Sequence, residues 1–167
     1  MSTPLTLAGS AISLAVLYAN VRTMHKAKWE PKVIGPFAIH FTLGALATVC
    51  IGGLLGFLAG CTVQAANGTG KRAVPGATGT DSGALASGSM GSLSPEGGVV
   101  VFLLTVALAL AWKASSKEIK KRAAGGLFCG ATLCATAGVA NLLSGLPSVA
   151  NGIGTAARAA LEGQGIL

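Results

Sequence analysis

The side chains best equipped for chemistry in this chain are four cysteines and His40. Cys50, Cys61, Cys129 and Cys134 all fall inside apolar runs, without CxxC spacing and with no acidic or histidine neighbour. A thiolate metal site needs ligands converging from close pairs, so this is not a metal-ligating pattern, and the four read as small packing residues. Cys50 and Cys61 return to nearly the same face of a helix but lie about 16 Å apart along its axis, too far to bridge within it. His40 has no carboxylate within a helical turn and reads as an interfacial imidazole rather than a proton relay. The chain has no Walker A loop, no HExxH and no nucleophile elbow. No apolar run carries an Asp, Glu, Lys or Arg at depth, where pumps and intramembrane enzymes keep their chemistry. The expectation is a non-enzymatic protein with no cofactor and no metal.

What the chain does concentrate is positive charge. Nine of the twelve basic residues form two clusters, Arg22/Lys26/Lys28/Lys32 and Lys113/Lys117/Lys120/Lys121/Arg122. Long stretches without any ionised side chain surround them, an alternation typical of a multi-pass membrane protein. A net charge of +7 would suggest nucleic acid in an aqueous domain, but 51% hydrophobic residues, 10% charged residues and a mean hydropathy of +0.68 put the chain in lipid. There, basic turns follow from topology, because cytoplasmic loops collect Lys and Arg. Both clusters are therefore expected on the cytoplasmic side of a bacterial inner membrane, with both termini outside. Lys26, Lys28, Lys32, Lys113, Lys117, Lys120, Lys121 and Arg122 become candidates for contact with anionic lipid headgroups or nucleic-acid phosphates.

The elements that position these clusters follow from the apolar runs. A spanning helix needs roughly 20 apolar residues. The expected fold is an all-α, multi-pass bundle of about four spans forming one membrane domain over 1–167. Its helices are expected near 3–21, 33–63, 95–122 and 123–143, with an external Gly/Ser-rich loop over 65–93 and a tail over 144–167. Ser94-Pro95-Glu96 is a helix start: a capping Ser, Pro at the first position, and an acid where the helix dipole favours it. In the tail, Val149, Ile153, Ala156 and Ala160 recur at helical spacing and predict an amphipathic surface helix. With 25 glycines and few aromatics, close backbone approach must replace large side chains as packing. The candidate packing stripes are Ala11/Ala15/Ala19, then Gly52/Gly56/Gly60 as a doubled GxxxG, then Gly126/Gly130/Gly138. A stripe on every helix points to a homo-oligomer.

Several stretches resemble known families. Leu58-Ala59-Gly60-Cys61 resembles the lipobox of bacterial lipoproteins, which implies Cys61 as a possible lipidation site. Residues 79–146 resemble conjugative pilins in having a small polar lead-in, an apolar helix, a basic turn and a second apolar helix. That resemblance implies an extracellular filament subunit with Lys113 to Arg122 lining its lumen. The whole chain is similar in pattern to the small multi-pass spread proteins of actinobacterial conjugative plasmids, which implies membrane oligomers assisting DNA transfer. It also shares small size, several spans and a basic segment with phage holins. The expected function is an oligomerising structural or channel-forming membrane subunit that touches lipid, with DNA and other envelope proteins as further partners. The pilin-like filament and the holin-like lesion are the alternatives.

Topology generates the first testable expectation. With the native cysteines replaced, a cysteine introduced at Ala27 or Ser116 should resist a membrane-impermeant thiol reagent in sealed cells and react after permeabilisation. Ready labelling from outside would invert the topology.

Overall fold

The computed structural model describes residues 4–163, so the ends of the expected first span and of the tail, residues 1–3 and 164–167, lie outside the described residues. It is all-helical: α1 (Leu7–Lys26), α2 (Pro31–Val49), α3 (Leu54–Thr78), α4 (Pro95–Ala114), α5 (Lys117–Leu133), α6 (Ala137–Leu142) and α7 (Leu146–Leu161).

At the centre lie α2 and α5, running in the same direction and touching through their backbones. A Cβ placed on Gly126 would strike the Phe37 carbonyl, one on Gly130 the Phe41 carbonyl, and one on Gly44 the Leu127 carbonyl. Only glycine lets helices approach so closely. Around this seam α1 lies antiparallel to α5, with the Cys129 thiol 3.5 Å from the Ser13 carbonyl and Gly125 against Asn20. On the other side α4 lies antiparallel to α2, where Val101 joins the core cluster of Leu43, Ala45, Leu46 and Val49 and Trp112 meets His40.

The expected helix over 33–63 is broken. Gly52 stands at φ +80, a conformation that glycine adopts freely and other residues rarely do, and Gly53 then caps α3. Gly52, Gly56 and Gly60 are therefore not one helix face: Gly52 is in the turn, Gly56 abuts the Cys50 carbonyl, and Gly60 faces open space. Two adjacent glycines favour a helix break over a continued ladder.

The expected external loop over 65–93 is helical as far as Thr78, where Gly79 at φ +69 ends α3 by donating its N–H to the Pro75 carbonyl (2.8 Å). Alanines at 65, 66 and 73 supply helix propensity that the polar composition hides. The extended remainder laces the outer ends of the bundle together. Leu85 N–H donates to the Leu5 carbonyl (2.8 Å), Leu7 N–H to Gly83 (2.9 Å) and Ala137 N–H to Ala86 (2.9 Å). Met90 is buried in the core.

The expected third helix, 95–122, starts as foreseen, with the Ser94 hydroxyl accepting from Gly97 N–H (3.1 Å), but stops at Ala114. Ser116 opens a new helix by accepting from Ile119 N–H (3.4 Å), so the Lys117–Arg122 segment is the first turn and a half of α5. The expected fourth helix, 123–143, is interrupted at Cys134–Thr136, where extended Thr136 bridges to Ser87. In the tail, α7 forms over the foreseen periodicity.

The seam generates a sharp contrast. Gly130→Leu should destabilise the fold by several kcal/mol, because the side chain meets backbone that cannot yield. Gly60→Leu should be nearly neutral. Thermal melting in detergent checks both, and equal midpoints would show that the α2–α5 contact is not tight.

Candidate functional site

The antiparallel order of α1 with α2 and of α4 with α5 brings both basic turns to one end of the bundle. Phe37 contacts Gly126, so one turn earlier Val33 and Arg122 lie at the same level, just inside Lys32 and Lys121. The end so formed carries Arg22, Lys26, Lys28, Lys32, Lys113, Lys117, Lys120, Lys121 and Arg122 against two acids, Glu30 and Glu118. At the opposite end Lys71, Arg72 and Arg158 balance Asp81, Glu96 and Glu162. The whole formal charge of +7 therefore resides at one end. Potentials of one sign collected on one face attract anions at a distance.

Most of these side chains are free in water. Lys26, Lys28, Lys32, Lys113, Lys117 and Lys121 are exposed, while Lys120 and Arg122 are half-buried. Among the described residues the one ion pair there, Lys121 to Glu118 at 3.8 Å, is highly exposed and contributes little. Arg122 differs from the rest: its Nε is shielded from solvent and finds no acceptor within the described residues. Shielded polar groups in folded proteins are nearly always hydrogen-bonded, which sets this donor apart from the solvated lysines around it.

All the tryptophan and tyrosine of the chain sits in this same half. Trp29 lies in the α1–α2 turn with its ring edge-on to His25 (6.4 Å), and Trp112 precedes Lys113 and tilts against His40 (6.0 Å). Tyr18 is exposed two turns before Lys26. The Nδ1 of His40 lies 2.8 Å from the Pro36 carbonyl of its own helix, so the imidazole is held in place by its neighbours. Amphipathic rings beside basic side chains form the belt found where a bilayer meets water.

The other candidates are scattered. Ala11, Ala15 and Ala19 face outward from α1, whose buried face is instead Ala8, Gly9, Ser13 and Met24. Gly126 and Gly130 lie in the seam, and Gly138 meets open space. Cys61 is exposed on α3 beside Leu58, Cys50 is half-buried, and Cys129 and Cys134 are buried; all four are free thiols. Among the described residues no His/Cys/Asp/Glu group is arranged to hold a metal ion.

Two positions passed over in the sequence carry the outer end. Asn67 is buried, with its amide bonded to the chain entering α1, and Asn151 bonds the chain entering α4. The signal available for them was an Ala-Asn-Gly-x-Gly string occurring at 66–70 and again at 150–154. Close to Asn151 an apolar groove of about 440 Å³ runs between α4 and α7, lined by Val99, Leu103 and Leu161. At its rim Arg158 pairs with Glu162 (2.7 Å) and Glu96 (2.9 Å), and these two carboxylates hold the guanidinium even more firmly protonated than usual.

No protein family, curated protein or solved structure matches this chain.

The belt makes a spectroscopic prediction. In bilayers containing brominated lipid, Trp29 and Trp112 should be quenched most strongly by bromine near the headgroup and least by bromine at the chain end. Preferential quenching at the chain end would place the basic end somewhere other than the interface.

Proposed function

We propose that this chain is a non-enzymatic integral membrane protein of the bacterial inner membrane. In this reading it crosses the bilayer four times as two hairpins, α1–α2 and α4–α5, and holds its basic end against anionic headgroups of the cytoplasmic leaflet. It acts as a self-associating structural subunit.

The observation that carries this reading is α4. It is 20 residues long, is apolar enough to cross a membrane, and has only 11% of its apolar window buried by the rest of the chain. Val99, Phe102, Leu103, Val106 and Leu110 all stand on its surface. In water such a face would be a large aggregation patch, whereas in lipid it is solvated. Among the described helices only α2 is also long and apolar enough to cross, and half of it is buried, so the crossings by α1 and α5 are the proposed part of the four-span reading. Helix α1 is as long as α4 and exposes Leu7, Leu14, Tyr18 and Val21. The shorter α5 packs against α1, α2 and α3 from Ala123 onward, and its basic first turns, with Lys117 and Lys121 exposed, belong to the headgroup region in this reading.

The seam bears on the channel alternative. Helices in backbone contact leave no room for water along the α2–α5 seam, so in this reading a conducting path lies away from it, between associated copies of the chain. The outward alanines of α1 and the bare face of α4 are the surfaces available for that association. A filament or lipoprotein reading would require processing of the chain, which intact mass detects.

Alkaline extraction of membranes followed by native mass measurement of the detergent-solubilised complex tests the proposal. The expected result is a chain that stays in the pellet and a complex of several unprocessed copies; release into the wash would sink the membrane assignment. Partner identity is read separately. Replacing Lys117, Lys120 and Lys121 with Gln should lower the enrichment of anionic over zwitterionic lipid in mixed nanodiscs by roughly fivefold per lysine. Retention of duplex DNA with a log-linear loss against salt, shallower in the triple variant, would instead assign the basic end to nucleic acid and favour a role in DNA transfer.

A further inference from the structure

The two hairpins share three bonds at their outer ends, and the first adds a fourth, from the Thr6 hydroxyl to Asn67 Oδ1 (3.0 Å). In the first, the Thr6 hydroxyl caps α1 by accepting from Gly9 N–H (3.0 Å). Asn67 Oδ1 accepts from Thr6 N–H (2.8 Å), and Asn67 Nδ2 donates to the Pro4 carbonyl (2.9 Å). In the second, the Ser94 hydroxyl caps α4 by accepting from Gly97 N–H (3.1 Å). Asn151 Oδ1 accepts from Ser94 N–H (2.8 Å), and Asn151 Nδ2 donates to the Ser92 carbonyl (3.2 Å). Pro4, Thr6 and Gly9 thus correspond to Ser92, Ser94 and Gly97 at a constant offset.

The glycines repeat the correspondence. A Cβ on Gly9 would strike Asn67 Oδ1, and one on Gly97 would strike Asn151 Oδ1. A Cβ on Gly70 would meet the Ala8 backbone, and one on Gly154 the Glu96 backbone. Each asparagine sits in its own Ala-Asn-Gly-x-Gly string. The central seam is reciprocal as well. Gly44 faces the Leu127 carbonyl and Ala131 nitrogen, while Gly130 faces the Phe41 carbonyl and Ala45 nitrogen, so Phe41, Gly44 and Ala45 match Leu127, Gly130 and Ala131 at one further constant offset. Contacts that exchange partners in this way are what a twofold axis between α2 and α5 requires.

We infer that the chain is two tandem copies of one unit, related by a pseudo-twofold axis through the Gly44–Gly130 contact. The unit is a capped helix, a polar turn, a returning helix and an amphipathic helix pinned back onto the cap, and Asn67 and Asn151 are its two equivalent positioning residues. The α2–α5 seam is accordingly an intramolecular dimer interface. Parallel repeats of this kind turn about an axis along their helices, which on the bilayer reading above is the membrane normal. The outer faces of α1 and α4 then stand at equivalent positions half a turn apart, Ala11, Ala15 and Ala19 of one matching Val99, Leu103 and Ala107 of the other. The units have diverged where each has its own chemistry. Glu96 and Arg158 pair in the second unit where the first has Ala8 and Val74, and the continuous α3 corresponds to the broken α6 and α7.

Hydrogen exchange on the full-length protein tests this. Asn67→Ala should speed exchange of the Thr6 amide about tenfold or more and leave Ser94 unchanged, and Asn151→Ala should do the reverse. Asn141→Ala, which removes an exposed asparagine outside both strings, should change neither. An effect confined to one of the two clamps would overturn the equivalence. A second measurement leaves the clamps intact. Leu5 packs against Ala66, so the symmetry places Leu93 beside Ala150. With the native cysteines replaced, L5C/A66C and L93C/A150C should both form disulfides on oxidation in isolated membranes, and cross-linking of only one pair would refute the repeat.

Discussion

The backbone contact between α2 and α5 is the constraint on which the remaining structure depends. It exists because three positions, Gly44, Gly126 and Gly130, have no Cβ where a carbonyl of the facing helix stands. A chain with 5% aromatics cannot fill its centre with large side chains, so it brings main chains together and gains dispersion contacts along their whole length. The flanking helices then need only modest contacts. On one side α1 rests on α5 through Ser13 and Cys129, and on the other α4 rests on α2 through Val101 and Trp112.

Parallel central helices also dictate where charge goes. Because each is preceded by a short turn from an antiparallel neighbour, both turns arrive at the same end, and every cluster lysine arrives with them. The half-buried Arg122, with its unpartnered Nε, lies where the two turns converge. The long exposed apolar face of α4 and the concentrated charge thus come from one arrangement: an apolar wall along the bundle and a cationic end beside it.

Patterns that depend on side-chain type were legible in the sequence, and those that depend on backbone conformation were not. The helical class, the Ser94-Pro95-Glu96 start, the basic turns and the amphipathic tail helix all follow from composition and spacing. The turn at Cys50–Gly53 did not, because Gly52 and Gly56 satisfy a packing stripe and a helix break equally well, and only φ distinguishes them. The helical course of residues 65–78 was masked by small polar residues whose reason for burial is long-range. Asn67 is more than ninety percent buried because it serves the entrance of a helix sixty positions earlier, a partner that no local window contains. Similarly, Ser115 and Ser116 hide a helix end and a helix start inside what reads as one continuous run.

The two clamp asparagines carry a chemical liability. Each precedes glycine, in Asn67-Gly68 and Asn151-Gly152, the dipeptide in which the following nitrogen attacks the side-chain amide most readily to form a succinimide. Helical backbone and an engaged amide hold these atoms out of that geometry. Once a clamp opens, the reaction becomes available, and its aspartate product lacks the Nδ2 donor that reached Pro4 or Ser92, so the clamp cannot close as before. Slow ageing of this protein would therefore run in one direction, from the outer ends of its hairpins inward, while the glycine seam stayed intact.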